Sequence, residues 1–369
     1  MKVLSIIGTR PEAVKMAPLV AALAGSPGVQ SHVLVTAQHR QLLDQVLRLF
    51  DITPDFDLDV MSKDQSPADV FAQVLERMRP VLADLQPDWV LVQGDTTTVL
   101  AATLAAAYNY VPVGHVEAGL RTYDRTTPFP EELNRVLTDH ASSLHFAPTE
   151  NARMALLREG VSEKTVHVTG NTVIDALQVI TARPLPHSST DILDELPDNK
   201  RLILVTAHRR ENFGEPLQRI IASLLELADR DDAHIVYPVH PNPSVDGPVH
   251  KALGGCGNIS LLPPLDYLTF AHLMKRSHVI LTDSGGIQEE APGLGVPVLV
   301  LRDVTERPEG INAGTAALVG AETEKIVAAT MRLLDDEVAR LEMVNAVNPF
   351  GDGHAARKIV EIMLRQDYD

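Results

Sequence analysis

The 369-residue chain has one cysteine, Cys256, so no internal disulfide or multi-cysteine metal site can form, which fits a reducing compartment. Basic residues are scarce: 32 Lys and Arg against 49 Asp and Glu give a formal charge of -17, the wrong sign for a nucleic acid or an anionic membrane. An anionic ligand would then need a local basic cluster. Long apolar runs are missing too. After Met1 and Lys2 the apolar stretch from Val3 to Ile7 is too short for a signal peptide or a membrane span, so a cytoplasmic location is the default expectation. There is no GxGxxG fingerprint, no GxxxxGK[ST] loop and no HExxH, and Gly254-Gly255-Cys256-Gly257 does not satisfy the first. Neither a cofactor nor a metal is expected.

What is present is alternation. Short apolar runs are followed by longer helical segments along the whole chain, the pattern of a parallel sheet flanked by helices. The first set of strand candidates is Val3–Ile7, His32–Thr36, Trp89–Val92, Pro112–Val116, Leu144–Phe146 and Val166–Val168. The second is Leu202–Thr206, Ile235–Val239, Ile259–Leu262, His278–Leu281 and Pro297–Leu301. Between them Pro184–Lys200, rich in Pro and Ser, reads as a boundary or connecting segment. The length suits two domains.

Reactive side chains cluster just after the strand candidates, where open α/β sheets bind ligands. The stretch TDSGGIQEEAPGLGVPV, residues 282–298, places Ser284, Gly285 and Gly286 where a helix starts directly after a strand. Free N–H groups and the positive dipole end there favour a phosphate, the glycines let it approach, and Ser284 adds a hydroxyl. Glu290, about a turn further, could accept from ribose hydroxyls. A plain capped turn explains the glycines alone equally well. Arg10 and Lys15 could clamp a diphosphate, or they could be solvated charges on a capped helix. Asp95 either caps the alanine-rich helix that follows it or faces a ligand. Glu117, between Gly114 and Gly119, has no evident local duty. Glu131 sits in a favourable first turn, which is sufficient reason for one acid. His208 could donate to a phosphate or relay a proton. Arg209 could form an ordinary surface ion pair, and Arg307 could serve an anion or simply balance nearby acids.

Taken together, GTRPEAVKMAPLV, TAQHRQLLDQVL, QGDTTT, VPVGHVEAGLRT, PFPEELNR, TGNTVIDAL, TAHRRENFG, DSGGIQEEAPGLGVPVLVLRD and TERPEG resemble, in order and at compatible spacing, the bacterial non-hydrolysing UDP-N-acetylglucosamine 2-epimerases. The resemblance implies an α/β fold of two Rossmann-like doubly wound domains of the GT-B type with a cleft between them. Residues 1–170 plus a returning helix at 352–369 would form the first, acid/base domain, and 171–351 the second, UDP-binding one. It also implies a homodimer that interconverts UDP-GlcNAc and UDP-ManNAc without nucleic acid or membrane. Asp95, Glu117 and Glu131 would be the acid/base set, with His208 as a further catalytic group. Arg10, Lys15, His208, Ser284, Gly285, Gly286 and Arg307 would hold the diphosphate, Glu290 the ribose and Phe270 the base. Gln38, Gln41, Glu131, Arg209 and His240 match a second, allosteric UDP-GlcNAc site. Two positions depart: Asp64 stands where some relatives carry a basic residue, and Leu265 where some carry glutamine. C2–H of a pyranose has no adjacent carbonyl to acidify it, so elimination of UDP through 2-acetamidoglucal is the expected route. A GT-B glycosyltransferase or a hydrolysing 2-epimerase would share most of these features.

Overall fold

The computed structural model describes residues 1–36, 40–61, 65–186 and 192–366, and the side chains of residues 40–42 are not described. The chain divides into two compact units, Met1–Ala176 together with the chain from Gly351 on, and Leu177–Phe350.

The first unit is built on a seven-stranded sheet of β1 (Lys2–Ile7), β2 (Gln30–Val35), β3 (Phe56–Asp57), β4 (Trp89–Gln93), β5 (Val113–Val116), β6 (Leu144–Ala147) and β7 (Val166–Val168). Its spatial order is β3-β2-β1-β4-β5-β6-β7 and every pairing is parallel. The second unit's sheet comprises β8 (Arg201–Thr206), β9 (Ala233–Pro238), β10 (Ile259–Leu262), β11 (Val279–Thr282), β12 (Val298–Val300) and β13 (Ala316–Leu318), ordered β10-β9-β8-β11-β12-β13 and again all parallel. Both sheets therefore wind outward from a switch point, between β1 and β4 in one and between β8 and β11 in the other, the Rossmann arrangement. Strands covered on both faces must be apolar throughout, which is why β4 (WVLVQ) and β8 (RLILVT) read as runs rather than as alternations.

Each sheet has its own core. In the first unit Leu4, Ile6, Val90 and Val92 pack with Val74 and Met78 of the Pro67–Leu85 helix and with Ala101 and Ala102 of the Thr97–Tyr108 helix. In the second, Ile203, Val205, Ile235 and Val279 meet Leu217, Ile220 and Leu224 of the Glu215–Ala228 helix. Each fully buried aliphatic side chain contributes about 1.5–3 kcal/mol. Among the described residues no helix is long and apolar enough to cross a membrane.

One expectation needs correcting. The described part of Pro184–Lys200, read as a boundary or connecting segment, lies inside the second unit and does not divide the two: Leu193 and Leu196 are buried there and Arg276 donates to their carbonyls at 2.5 and 3.0 Å. The division falls instead within the Thr172–Ala182 helix, because Asp175 near its start belongs to the first unit. The Asp175 carboxylate accepts the N–H groups of Ala355 (3.2 Å) and Ala356 (2.9 Å), capping the Ala355–Leu364 helix, whose apolar face packs on the Arg10–Ala24 helix. Strands β3 and β13, two edge pieces of two and three residues, carry no apolar run long enough to be read from sequence.

Candidate active site

In the first unit two carboxylates, Glu117 and Asp95, stand just past the carboxyl ends of β5 and β4. Glu117 follows β5 with φ of 66°, a left-handed backbone that turns its side chain out of the sheet register. The side chain is nearly sealed and surrounded by donors. Oε1 accepts from Lys15 Nζ at 2.5 Å and from Asn171 Nδ2 at 2.9 Å, and Oε2 accepts from the Gln93 amide. Asp95 follows β4 and pairs with Arg135 at 2.6 Å. The cap of the Thr97–Tyr108 helix is not Asp95 but Thr96, whose hydroxyl accepts from the Val99 N–H. Glu131 opens the Glu131–Ala141 helix and is half-exposed, whereas its neighbour Glu132 is buried and accepts the N–H groups of Thr122 and Tyr123 at 3.0 and 2.9 Å.

Beneath these acids lies a buried ionic network. His115 is fully buried; its Nδ1 lies 2.6 Å from Asp139 Oδ1 and its Nε2 2.8 Å from the Gly94 carbonyl, so both ring nitrogens face acceptors. Asp139 Oδ2 accepts from the Gly119 N–H at 3.3 Å and lies 2.7 Å from the Arg121 guanidinium, which also grips Glu159 with two hydrogen bonds. Burial alone would raise the Asp139 pKa, but His115 and Arg121 more than offset it and hold the carboxyl below the usual range. One aspartate thus ties together the loop before Asp95, the turn after Glu117 and the helix that begins with Glu131. Gly119 cannot be replaced cheaply: its φ is 85° and a Cβ there would come within 2.3 Å of the Ala152 carbonyl oxygen.

Glu12, in the first turn of the Arg10–Ala24 helix, is a further acid that motif reading passed over. It is 2% exposed and accepts the Gly8 N–H (2.5 Å), the Thr9 N–H (3.3 Å) and the Thr96 hydroxyl (2.8 Å), locking the loop after β1 to the loop after β4. Burial, opposed by those hydrogen bonds, pushes its pKa up to about 7. Between the unfolded value near 4.5 and about 7 the folded protein holds a proton that the unfolded chain has released, so stability falls as pH rises through that window. The accumulated cost is about 3 kcal/mol. Glu12→Gln lacks the slope. Unfolding free energies of both proteins at the two ends of the window should diverge by about that amount in favour of the variant at the upper end; parallel pH curves would refute the assignment.

In the second unit the site is the start of the Gly285–Gly293 helix, immediately after β11, with Ser284 as N-cap. The helix begins two residues earlier than the turn-like sequence suggested. A Cβ at Gly285 would lie 3.5 Å from an Arg209 nitrogen and 3.9 Å from the Arg307 guanidinium, and one at Gly286 would lie 3.8 Å from Glu290 Oε1 and 4.0 Å from Ser284 Oγ. Two guanidiniums, a hydroxyl and the free N–H groups of a helix start therefore converge, an arrangement that binds a multiply charged anion. Arg307 is held there by the buried Glu289. The loop after β8 lies alongside: His208 stacks on His240, centroids 5.3 Å apart and planes within 11°.

The structure thus gathers Glu117, Lys15 and Asp95 in one unit and His208, Arg209, His240, Ser284, Gly285, Gly286, Glu290 and Arg307 in the other. Lys15, expected beside Arg10 on a diphosphate, is committed to Glu117. Arg209 and His240, matched to a second site by the resemblance, lie beside Gly285 and His208 respectively. Phe270 is half-buried on the Tyr267–Arg276 helix, with Leu265 just before it, and Arg10 is half-exposed at its helix start. Gln38, Asp64 and the side chain of Gln41 lie outside the described residues. Sequence reading missed Glu12, Gln93, His115, Asp139, Asn171 and Asp283 as parts of the site. All but Asp139 lie within a few residues of a strand's carboxyl end or in a helix's first turn, which was the one available signal; Asp139, near the end of the Glu131–Ala141 helix, carried none.

Two Rossmann-like sheets, each with its charged residues at the switch point, define a GT-B-like α/β enzyme. The chain belongs to the UDP-N-acetylglucosamine 2-epimerase family, which it matches over residues 21–364. It is 54% identical over 369 residues to the UDP-N-acetylglucosamine 2-epimerase of Yersinia pestis, covering 98% of both chains. Among solved structures, UDP-GlcNAc 2-epimerase from Neisseria meningitidis bound to UDP-GlcNAc superposes with a TM-score of 0.87 at 48% identity, covering 99% of this chain and 100% of that one. The Methanocaldococcus jannaschii enzyme in complex with UDP-GlcNAc and UDP gives a TM-score of 0.76 at 37% identity, covering 99% of both.

Proposed function

We propose that this protein interconverts UDP-GlcNAc and UDP-ManNAc by elimination and re-addition of UDP. A carboxylate of the first unit takes the C2 proton as the C1–O bond to UDP breaks, leaving a C1=C2 double bond in 2-acetamidoglucal. UDP then adds back to C1 while a second acid delivers a proton to the opposite face of C2. The observation that carries this reading is Glu117: a sealed carboxylate at a strand end, held in place by an ammonium and two amides. The departing group fits the other unit, where the Gly285 helix start with Arg209 and Arg307 offers preorganised positive charge to a diphosphate. Glu290 beside Gly286 is suited to ribose hydroxyls. Elimination needs acids at the ring and cations at the leaving group, and the two units supply one each.

The test is incubation with UDP-GlcNAc alone in deuterium oxide. UDP-ManNAc carrying deuterium at C2 is expected, with no free sugar accumulating in step with turnover. Unlabelled product would rule out the elimination route, and UDP release matched by free ManNAc would make the enzyme a hydrolysing one. As family resemblance implies, the active form would be a homodimer, measurable by its sedimentation mass.

A further inference from the structure

We propose that Asp283 is a positioning residue for His208: by claiming the proton on Nδ1 it leaves the ring able to donate to a diphosphate only as imidazolium, so that UDP binding takes up a proton. This rests on the reading of His208 as a group that holds the diphosphate.

Asp283 directly follows β11 at the second sheet's switch point and is fully buried. Its two oxygens differ. Oδ2 is saturated, accepting the backbone N–H groups of His208 and Arg209, both at 2.8 Å, and Asn212 Nδ2 at 3.0 Å. Asn212 is fixed in turn by the Leu301 carbonyl at 3.1 Å. Oδ1 is buried and has no hydrogen-bond donor among the described residues; His208 Nδ1 lies 3.5 Å from it. A buried carboxylate oxygen without a donor is costly, and a small rotation of the ring supplies one, provided that Nδ1 bears the hydrogen. With that hydrogen on Nδ1, the neutral ring presents a lone pair at Nε2, which repels a phosphate oxygen. Only the doubly protonated ring donates from both nitrogens.

The groups facing His208 set when it charges. Asp283 favours the imidazolium, while the stacked His240 and the adjacent Arg209 oppose it. Tyr237, below, donates to the Ala207 carbonyl at 2.8 Å and stays neutral. Burial is the largest influence and leaves the His208 pKa below its ordinary 6.5. The free enzyme near neutral pH therefore carries mostly neutral His208, and a diphosphate that needs the imidazolium must bring a proton with it.

Asp283→Asn separates this role from mere loop tethering. The new carbonyl oxygen can keep the three donors of Oδ2, while the NH₂ at the position of Oδ1 can only donate. Nδ1 then becomes the acceptor, and the neutral ring carries its hydrogen on Nε2. Calorimetric titration of UDP into the full-length proteins in two buffers of different ionisation enthalpy, at about pH 8 where a terminal phosphate with a second pKa near 6 is ionised, counts the protons taken up. Wild type should take up protons on binding UDP, and Asp283→Asn close to none. Equal uptake by both overturns the proposal while leaving His208 as a diphosphate group. UDP affinity unchanged by His208→Asn would instead overturn the reading on which it rests. Should Asp283→Asn fail to fold, the ¹⁵N shifts of His208 in the wild-type protein, assigned with His208→Asn, decide directly. A neutral ring protonated on Nδ1 supports the proposal, and one protonated on Nε2 overturns it.

Discussion

Turnover by the Glu117→Gln protein is expected to fall by about 100- to 10,000-fold, the range typical of losing a positioned proton-transfer group. The fold should survive. The glutamine oxygen can still accept from Lys15 and Asn171, and Gln93 need only turn its amide over to offer an acceptor to the new NH₂. UDP affinity should also persist, because the Gly285 helix start with Arg209 and Arg307, read as holding the diphosphate, belongs to the second unit and is left unaltered. Steady-state assays with UDP-GlcNAc, UDP titrations and thermal melts on the same preparation separate these effects. A variant that turns over at the wild-type rate removes Glu117 from proton transfer. One that loses UDP binding and its melting transition together would make Glu117 structural instead.

Asp139→Ala should cost about 3–5 kcal/mol of unfolding free energy, because it strips the shared partner from a buried ring and a buried guanidinium at once. His115 and the Arg121 side chain are 0% and 1% exposed, so water cannot replace the lost carboxylate without opening the interior. Urea unfolding should show a lower midpoint at unchanged slope. A loss of the size seen at surface ion pairs, below about 1 kcal/mol, would mean that Glu159 alone satisfies Arg121. The pH signature of Asp139 is opposite to that of Glu12. Its folded pKa is depressed, so its contribution is present above the unfolded value of 3.8 and disappears only as pH falls through the lower folded value. The same unit therefore holds one carboxyl that weakens the fold on the way up to neutrality and one that supports it until strongly acidic pH.

Much of this site was legible along the chain. The strand candidates β7 and β10 coincide with the observed strands, and β1, β4, β5, β6, β8 and β11 differ by a residue at one or both ends. The placing of Glu117, His208 and Ser284 just beyond strands follows from that. What stayed hidden was pairing. Asp283 reads as one polar residue of a glycine turn, and its bond to the loop after β8 exists only because β11 lies beside β8 in the sheet. Lys15 reads as a phosphate ligand because it follows Arg10 on one helix, yet it meets a glutamate 102 residues away.

Apolar periodicity, glycine-bearing turns and the residue types beyond each strand are local properties, so the sequence by itself determined two parallel α/β sheets with acids after the first set of strands and a helix-end anion site after the second. Which charge neutralises which was decided only by the tertiary structure. The winding order 3-2-1-4 brings the ends of the first and fourth strands together in each sheet, and there Glu12 meets Thr96 and Asp283 meets His208. Burial then fixes how strongly each partner is held, because an ionised group taken out of water is tolerated only where the fold supplies its donors.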